Sequence, residues 1–337
     1  MEQVRKWFLE NRRSFPWREE CDPYAVLISE VMLQQTRASV VVSYFQRWME
    51  RFPNVELLSQ ANESEVVKLW EGLGYYSRAR NLLELAKVVV SQYDGKIPDT
   101  LEDLLKLKGI GDYTAGAILS FGFHKKGVAL DGNVARVIAR VSAFEKDVKR
   151  NAKELRQIVH DLLPEKEPHI VMEGLIELGA TICGKTPLCN LCPLKDNCLA
   201  YKKGIVKSLP ILPERKKVTE LFRFVACISF ENEYLVKQNE KGEVMASLFE
   251  FPYIDCEKDL ILSASQKKLE NELGLKLQLL APLKREKHHF TRFKARLFPF
   301  HFKSVTKVEI PKFRWLPKDQ LITLPFSSGH RRILTQI

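Results

Sequence analysis

Leu107-Lys108-Gly109-Ile110-Gly111 is the stretch on which the fold reading turns. Apolar residues recur with a helical period on both sides of it, over residues 101–107 and 114–121. Gly109 and Gly111 allow a tight turn and let backbone N–H groups come close to a ligand, because no Cβ stands in the way. N–H groups at the start of the following helix suit a phosphate oxygen. Ile110 is expected to turn back into the helix pair. No strand precedes the glycines and no Walker lysine follows, which excludes a nucleotide-binding loop. A plain helix–helix turn is one reading. A helix–hairpin–helix clamp on a DNA backbone fits better.

Working outward, the helical period continues over residues 24–36, 40–49, 65–70, 78–90, 134–141, 152–163 and 170–182. Asp22-Pro23 opens the first of these, with Asp able to cap free N–H groups and Pro losing no hydrogen bond at the first position. Thr100-Leu101-Glu102-Asp103 is a capping box with Asp in place of Glu. Gly and Pro mark the joints, as at Phe52-Pro53, Gly72-Leu73-Gly74 and Ile97-Pro98. The character changes near Lys202. Leu209-Pro210-Ile211-Leu212-Pro213 reads as a stiff linker. Beyond it, residues 222–230 and 234–236 read as strands around Glu231-Asn232-Glu233. Residues 260–273 read as a helix ending at Gly274, and residues 290–300 as a further strand. The expected division is a helical region 1–201, a basic linker 202–218 and a mixed α+β region 219–337.

Composition narrows the function classes. The 337 residues are 45% apolar and 28% charged, the balance of a soluble globular chain that needs no disulfide staples. No run of 18 apolar residues exists, so a spanning helix is not expected. The first residues lack the apolar core of a signal peptide, which gives a cytoplasmic expectation with no membrane partner. The formal charge is +11. It is concentrated: residues 202–218 hold six basic side chains and one acid, and residues 284–314 hold ten and two. Concentrated positive charge suits a polyanion, with nucleic acid first and an anionic membrane surface second.

Three groups of residues could carry chemistry. Cys183, Cys189, Cys192 and Cys198 lie in a C-x5-C-x2-C-x5-C loop containing Pro187 and Pro193. Four thiolates placed that way can surround zinc or an iron–sulfur cluster. Two disulfides are the competing use. Glu30 lies mid-helix among apolar neighbours, so it either faces solvent or is buried with a raised pKa and fit to donate a proton. Asp131, in Ala129-Leu130-Asp131-Gly132-Asn133-Val134, is a helix cap, a role compatible with its second oxygen facing a ligand.

Ser29-Glu30-Val31-Met32-Leu33-Gln34-Gln35-Thr36, Gly72-Leu73-Gly74-Tyr75-Tyr76-Ser77-Arg78-Ala79-Arg80-Asn81, the Gly109-Ile110-Gly111 hairpin, Leu130-Asp131-Gly132-Asn133-Val134 and the four-Cys loop occur in that order. Together they resemble the bacterial adenine DNA glycosylases of the MutY type, within the endonuclease III superfamily. The resemblance implies an all-α helix–hairpin–helix glycosylase domain with a loop for one [4Fe–4S] cluster. It also implies removal of adenine mispaired with 8-oxoguanine or guanine in duplex DNA, by a monomer. By motif, Glu30 would protonate N7 of a flipped adenine and Asp131 would stabilise the cation at C1′. Tyr113 and Asn133 would order the site. Gln35, Leu73 and Tyr75 would enter or line the DNA near the mispair, and Gly109 and Gly111 would hold the backbone. Bifunctional relatives carry Lys where Tyr113 stands, so the resemblance implies a monofunctional enzyme.

The C-terminal region resembles the Nudix-like domain that reads 8-oxoguanine in this family. Ser247-Leu248-Phe249-Glu250-Phe251-Pro252 matches a family segment. Residues 266–275 fall at the Nudix helix but lack the paired Glu residues that hold magnesium. Phe290-Thr291-Arg292 matches the lesion-reading loop, usually Phe-Ser-His. The cluster loop has five residues between Cys183 and Cys189, where the family usually has six. The alternatives in view are a thymine or uracil mismatch glycosylase of the same superfamily, a non-catalytic DNA-damage-binding protein and a structural zinc protein.

Overall fold

The computed structural model describes residues 1–19, 22–213, 218–240, 242–243, 245–257, 262–290 and 293–337. The chain forms two compact units. One comprises Met1–Gln60 and Asn81–Glu214, the other Ala61–Arg80 and Arg215–Ile337.

The first unit is helical, and no named strand falls among its described residues. Its helices start where local chemistry says they should. Asp22, Asn54 and Thr100 each accept a hydrogen bond from an N–H in the first turn of their helices. The hairpin is present: helix Leu101–Lys106, then residues 107–111, then helix Asp112–Ala117, which runs on into a π-helical turn Ile118–Gly122. Gly109 has φ +87°, a left-handed value that an L side chain adopts only under strain. Ile110 is buried. The helix-like N-terminal segment is helix Glu2–Asn11, whereas helix Val55–Ser59, with five residues, is too short to show a period.

Residues 202–213 differ from a free linker. Leu209 is buried with Cys198 and Ala200, and Val148 N donates to Ile211 O at 3.1 Å. Residues 214–217 lie outside the described residues.

The second unit is built on a mixed sheet. Its strands are β1 Thr219–Phe230, β2 Glu233–Gln238, β3 Phe249–Glu250, β4 Tyr253–Asp255, β5 Leu277–Pro282, β6 Glu286–Phe290, β7 Phe293–Ser304 and β8 Phe313–Pro317. The central path runs β3-β2-β1-β7-β5, with β4 on β1, β6 on β7 and β8 on β2. β1 and β7 are parallel from Thr219↔Phe293 to Ser229↔Lys303. Alternation along β1 explains why both faces are covered. Phe224, Ala226 and Ile228 pack with Leu269 and Leu273 of helix Leu262–Leu273. Val225 and Cys227 pack with Leu321, Phe326 and Ile333 near the C-terminus. The expected hairpin at Glu231-Asn232-Glu233 is there, closed by Phe230↔Glu233. The expected single strand over 290–300 is instead two: Phe290 ends β6 and pairs with Phe293 of β7.

The expected fold class needs one correction. A helix–hairpin–helix unit and an α+β unit are present, but the iron–sulfur part of the expectation is not supported. Among the described residues, no group of three or more His, Cys, Asp or Glu side chains is placed to hold a metal ion. Nor is any helix among them long and apolar enough to cross a membrane.

Candidate active site

Glu30 lies in helix Pro23–Leu33, which Asp22 caps by accepting from Ala25 N at 2.9 Å. Every residue from Tyr24 to Met32 is buried, so the helix has no wet face there for a carboxylate to use. Glu30 is 6% exposed. Loss of water pushes its carboxyl up to about 7. The Tyr113 hydroxyl donates to Glu30 Oε2 at 2.7 Å and pulls the value back, while the Asp131 and Glu173 carboxylates push it further up. A carboxyl titrating near neutrality can hold a proton and release it.

Tyr113 reaches Glu30 from helix Asp112–Ala117, so the hairpin that begins this helix also sets the acid's partner. Burial first, and Glu30 second, raise the phenol well above its usual range. It therefore stays a neutral donor.

Asp131 stands at the N-cap of helix Gly132–Val141. Its Oδ1 accepts from Asn133 N at 2.8 Å and Val134 N at 2.7 Å. Its Oδ2 accepts from Asn133 Nδ2 at 2.8 Å. Burial lifts its pKa, and these three hydrogen bonds work against that lift. Asn133 is oriented in turn, since its Oδ1 accepts from Arg136 Nη2 at 2.8 Å. Arg136 is itself tied to Gly179 O and Cys183 O, at 2.8 and 2.7 Å. Gly179 lets helix Pro168–Thr181 approach this helix start: a Cβ there would meet Asn133 Cβ at 2.6 Å and Asn133 O at 2.9 Å.

Several residues around the site were not singled out from the sequence. Glu173 Oε2 accepts from Arg18 Nε at 2.8 Å, and Glu177 Oε2 accepts from Arg18 Nη2 at 3.0 Å. Two Glu four apart in the otherwise apolar run 168–181 were a usable signal. Nothing local marked Arg18, whose Glu173 and Glu177 partners are distant in sequence, or Arg136, most of whose acceptors are backbone carbonyls.

The remaining expected residues fall in different settings. Gln35 (φ 60°) and Tyr75 (φ 48°) both have left-handed backbones and are exposed, Tyr75 at 49%. Strain of this kind concentrates at functional loops. Leu73 is buried at 6%. Gly109 approaches Asn81, whose Cβ would lie 3.0 Å from an added methyl, whereas Gly111 faces open space. Phe290 ends β6 beneath the Arg223 guanidinium, 5.6 Å from its ring centroid. Thr291 and Arg292 lie outside the described residues.

Cys183, Cys189, Cys192 and Cys198 line one cavity of about 20 Å³, space for roughly a single water. This is where the [4Fe–4S] expectation fails, for two physical reasons. No three of these thiols form a ligating group. The Arg140 guanidinium occupies the loop, donating to Cys183 Sγ at 3.3 Å, Gly184 O at 2.7 Å and Leu209 O at 3.0 Å. The loop is held by hydrogen bonds, including Cys198 Sγ to Arg140 O at 3.4 Å.

Residues 28–165 match the family described as HhH-GPD superfamily base excision DNA repair protein, and residues 223–336 match the NUDIX domain. The chain is 34% identical over 284 residues to the adenine DNA glycosylase of Buchnera aphidicola subsp. Baizongia pistaciae, covering 84% of this chain and 80% of the relative. It is 40% identical over 226 residues to the adenine DNA glycosylase of Mus musculus, covering 64% of this chain and 44% of the relative. Among solved structures, a thermostable thymine-DNA glycosylase superposes with a TM-score of 0.56 at 31% identity, over 60% of this chain and 94% of that one.

Proposed function

Because the chain belongs to the adenine DNA glycosylases of the HhH-GPD superfamily, we propose that it excises adenine opposite 8-oxoguanine or guanine with Glu30 as acid and Asp131 as counter-charge. The enzyme cleaves the N-glycosidic bond of adenine in double-stranded DNA as part of base excision repair. Glu30 passes its proton to N7 of the flipped base, and the electron pair of the C1′–N bond leaves with the adenine. Asp131 faces the cation that forms at C1′, and water then bonds to C1′ and gives up a proton, which completes the hydrolysis. The observation that carries this reading is the contrast of two nearby carboxyls. Glu30 is dry and titrates near 7, and Asp131 is fed by three donors. Paired groups in contrasting environments are how one site supplies both an acid and an anion.

Tyr113 stands where a bifunctional relative would hold its amine, which supports a monofunctional reaction with little strand cleavage. Gln35 and Tyr75 enter the duplex near the mispair, Gly109 and Gly111 hold the backbone, and Phe290, Thr291 and Arg292 read the opposite base. Thr291 keeps a hydroxyl for the lesion, and Arg292 offers charge for phosphate or a guanine edge. The reading extends to a monomer in the cytoplasm, the form the family resemblance implies for an asymmetric DNA target.

The test is single-turnover adenine release from duplexes holding A opposite 8-oxoguanine, guanine or thymine, with T:G and U:G duplexes alongside. Release opposite 8-oxoguanine is expected, falling about 10²–10⁴-fold in Glu30→Gln. Release from the T:G duplex alone would replace this reading with the thymine activity named for the solved relative.

A further inference from the structure

Residues 61–80 belong to the same compact unit as the sheet, and a polar clasp fastens them to the backbone of Phe326. Glu71 Oε1 accepts from Phe326 N at 3.1 Å and from Arg331 Nε at 2.6 Å, and Oε2 accepts from Lys68 Nζ at 2.7 Å. Lys68 Nζ and Arg331 Nη1 both donate to Ile322 O, at 2.9 and 3.2 Å. From the other end of the loop, the Tyr76 hydroxyl donates to Phe326 O at 3.3 Å and accepts from Gly72 N at 3.3 Å. Side chains of residues 71 and 76 thus occupy both backbone groups of one residue. Those two residues bracket the loop 72–75.

Phe326 is a firm anchor. It is fully buried, and its ring packs against Phe249 and Phe251 at centroid distances of 6.0 and 5.6 Å. The Glu71 and Arg331 side chains are 14% and 22% exposed, so salt screens their attraction less than it would a surface pair. Inside the loop, Arg78 Nη2 donates to Leu73 O and Gly74 O, and Trp70 Nε1 donates to Gly74 O. Everything around Tyr75 is tied down, while Tyr75 itself projects with φ 48°.

We propose that Glu71, Tyr76 and Arg331 are positioning residues for lesion discrimination, locking the Tyr75 loop to the sheet that carries His288–Phe290. The inference rests on the adenine glycosylase reading and on Tyr75 as the residue that enters DNA. With the clasp closed, a change in how the sheet seats on the opposite base moves the Tyr75 loop with it. With the clasp open, the loop no longer follows the sheet, and the advantage of 8-oxoguanine over guanine is lost while Glu30 and Asp131 are untouched.

The experiment compares single-turnover adenine release opposite 8-oxoguanine and opposite guanine for wild type, Glu71→Gln, Arg331→Lys and Tyr76→Phe, with melting temperatures and a pH–rate profile for each. The expected result is an 8-oxoguanine-to-guanine rate ratio about tenfold lower in Glu71→Gln, a size typical of small misplacement of a positioned group. Tyr76→Phe, which loses one hydroxyl, should lower the ratio about fivefold. The alkaline limb of the pH profile should not move. A merely structural role would lower both rates together and leave the ratio intact, and that result in folded variants overturns the proposal. If Glu71→Gln does not fold, Tyr76→Phe decides. If wild type releases no adenine, the functional reading falls and the positioning role with it. If wild type discriminates and the variants keep its ratio, the clasp proposal alone falls.

Discussion

Glu30 and Asp131 are carboxylates of one site, yet they sit at opposite kinds of place on a helix. Glu30 is inside Pro23–Leu33, where the backbone N–H groups are already bonded along the helix, so the Tyr113 phenol of another helix donates to it instead. Asp131 is at the start of Gly132–Val141, where N–H groups are free, and it takes two of them besides the Asn133 amide. Burial raises both groups. The difference teaches that helix position, rather than burial alone, sets how strongly a carboxylate's charge is supported.

The largest expected effect separates charge from capping. Asn caps a helix about as well as Asp, so Asp131→Asn should leave the melting temperature nearly unchanged. It should lower adenine release about 10²–10³-fold, the usual loss when one electrostatic stabiliser is removed. A matching fall in melting temperature would mean that the charge also serves the fold.

Next is the stability cost of the acid. The folded carboxyl of Glu30 titrates near 7, above the ordinary glutamate value of 4.5. The contribution of the protonated form is fully present below about pH 4.5 and is lost as pH rises through 7. Glu30→Gln should therefore gain up to about 3 kcal/mol over wild type at pH 8 and little at pH 4, measured by denaturant unfolding. An equal gain at both pH values would show that desolvation is not the cause.

Gly179→Ala presses on the Asp131 side only. A methyl 2.6 Å from Asn133 Cβ and 2.9 Å from its carbonyl oxygen must displace backbone. A loss of about 1–3 kcal/mol is expected, with slower release and an unchanged alkaline pH limb, because Glu30 is not touched. Smallest is Tyr113→Phe. Removing the donor that lowers the Glu30 pKa should move the alkaline limb of the rate profile upward, with about 1 kcal/mol lost in stability. A limb moving to lower pH would break the account of that hydrogen bond.

The helical unit was largely legible because each element carries its own signal. The Asp22 and Thr100 caps and the glycines of the hairpin sit in the chain as read. The second unit was less so. β3 has two residues and β4 has three, too short for a period. The division between β6 and β7 is hidden because the residues that end one and begin the other, Phe290 and Phe293, are both aromatic. The four cysteines misled: their spacing permits a cluster, but their arrangement in space places no ligating set.

By itself, the sequence determined what short-range chemistry can specify. Helix starts, the left-handed glycine of the hairpin and the choice of Glu, Asp and Tyr at the site are of this kind, since a cap or a turn depends on neighbours a few residues away. Only the tertiary structure decided that Glu30 is dry, that Tyr113 bonds to it from 83 residues away, and that residues 71 and 76 grip Phe326. Burial and desolvation are collective properties of packed elements, and the distance between two residues along the chain does not encode them.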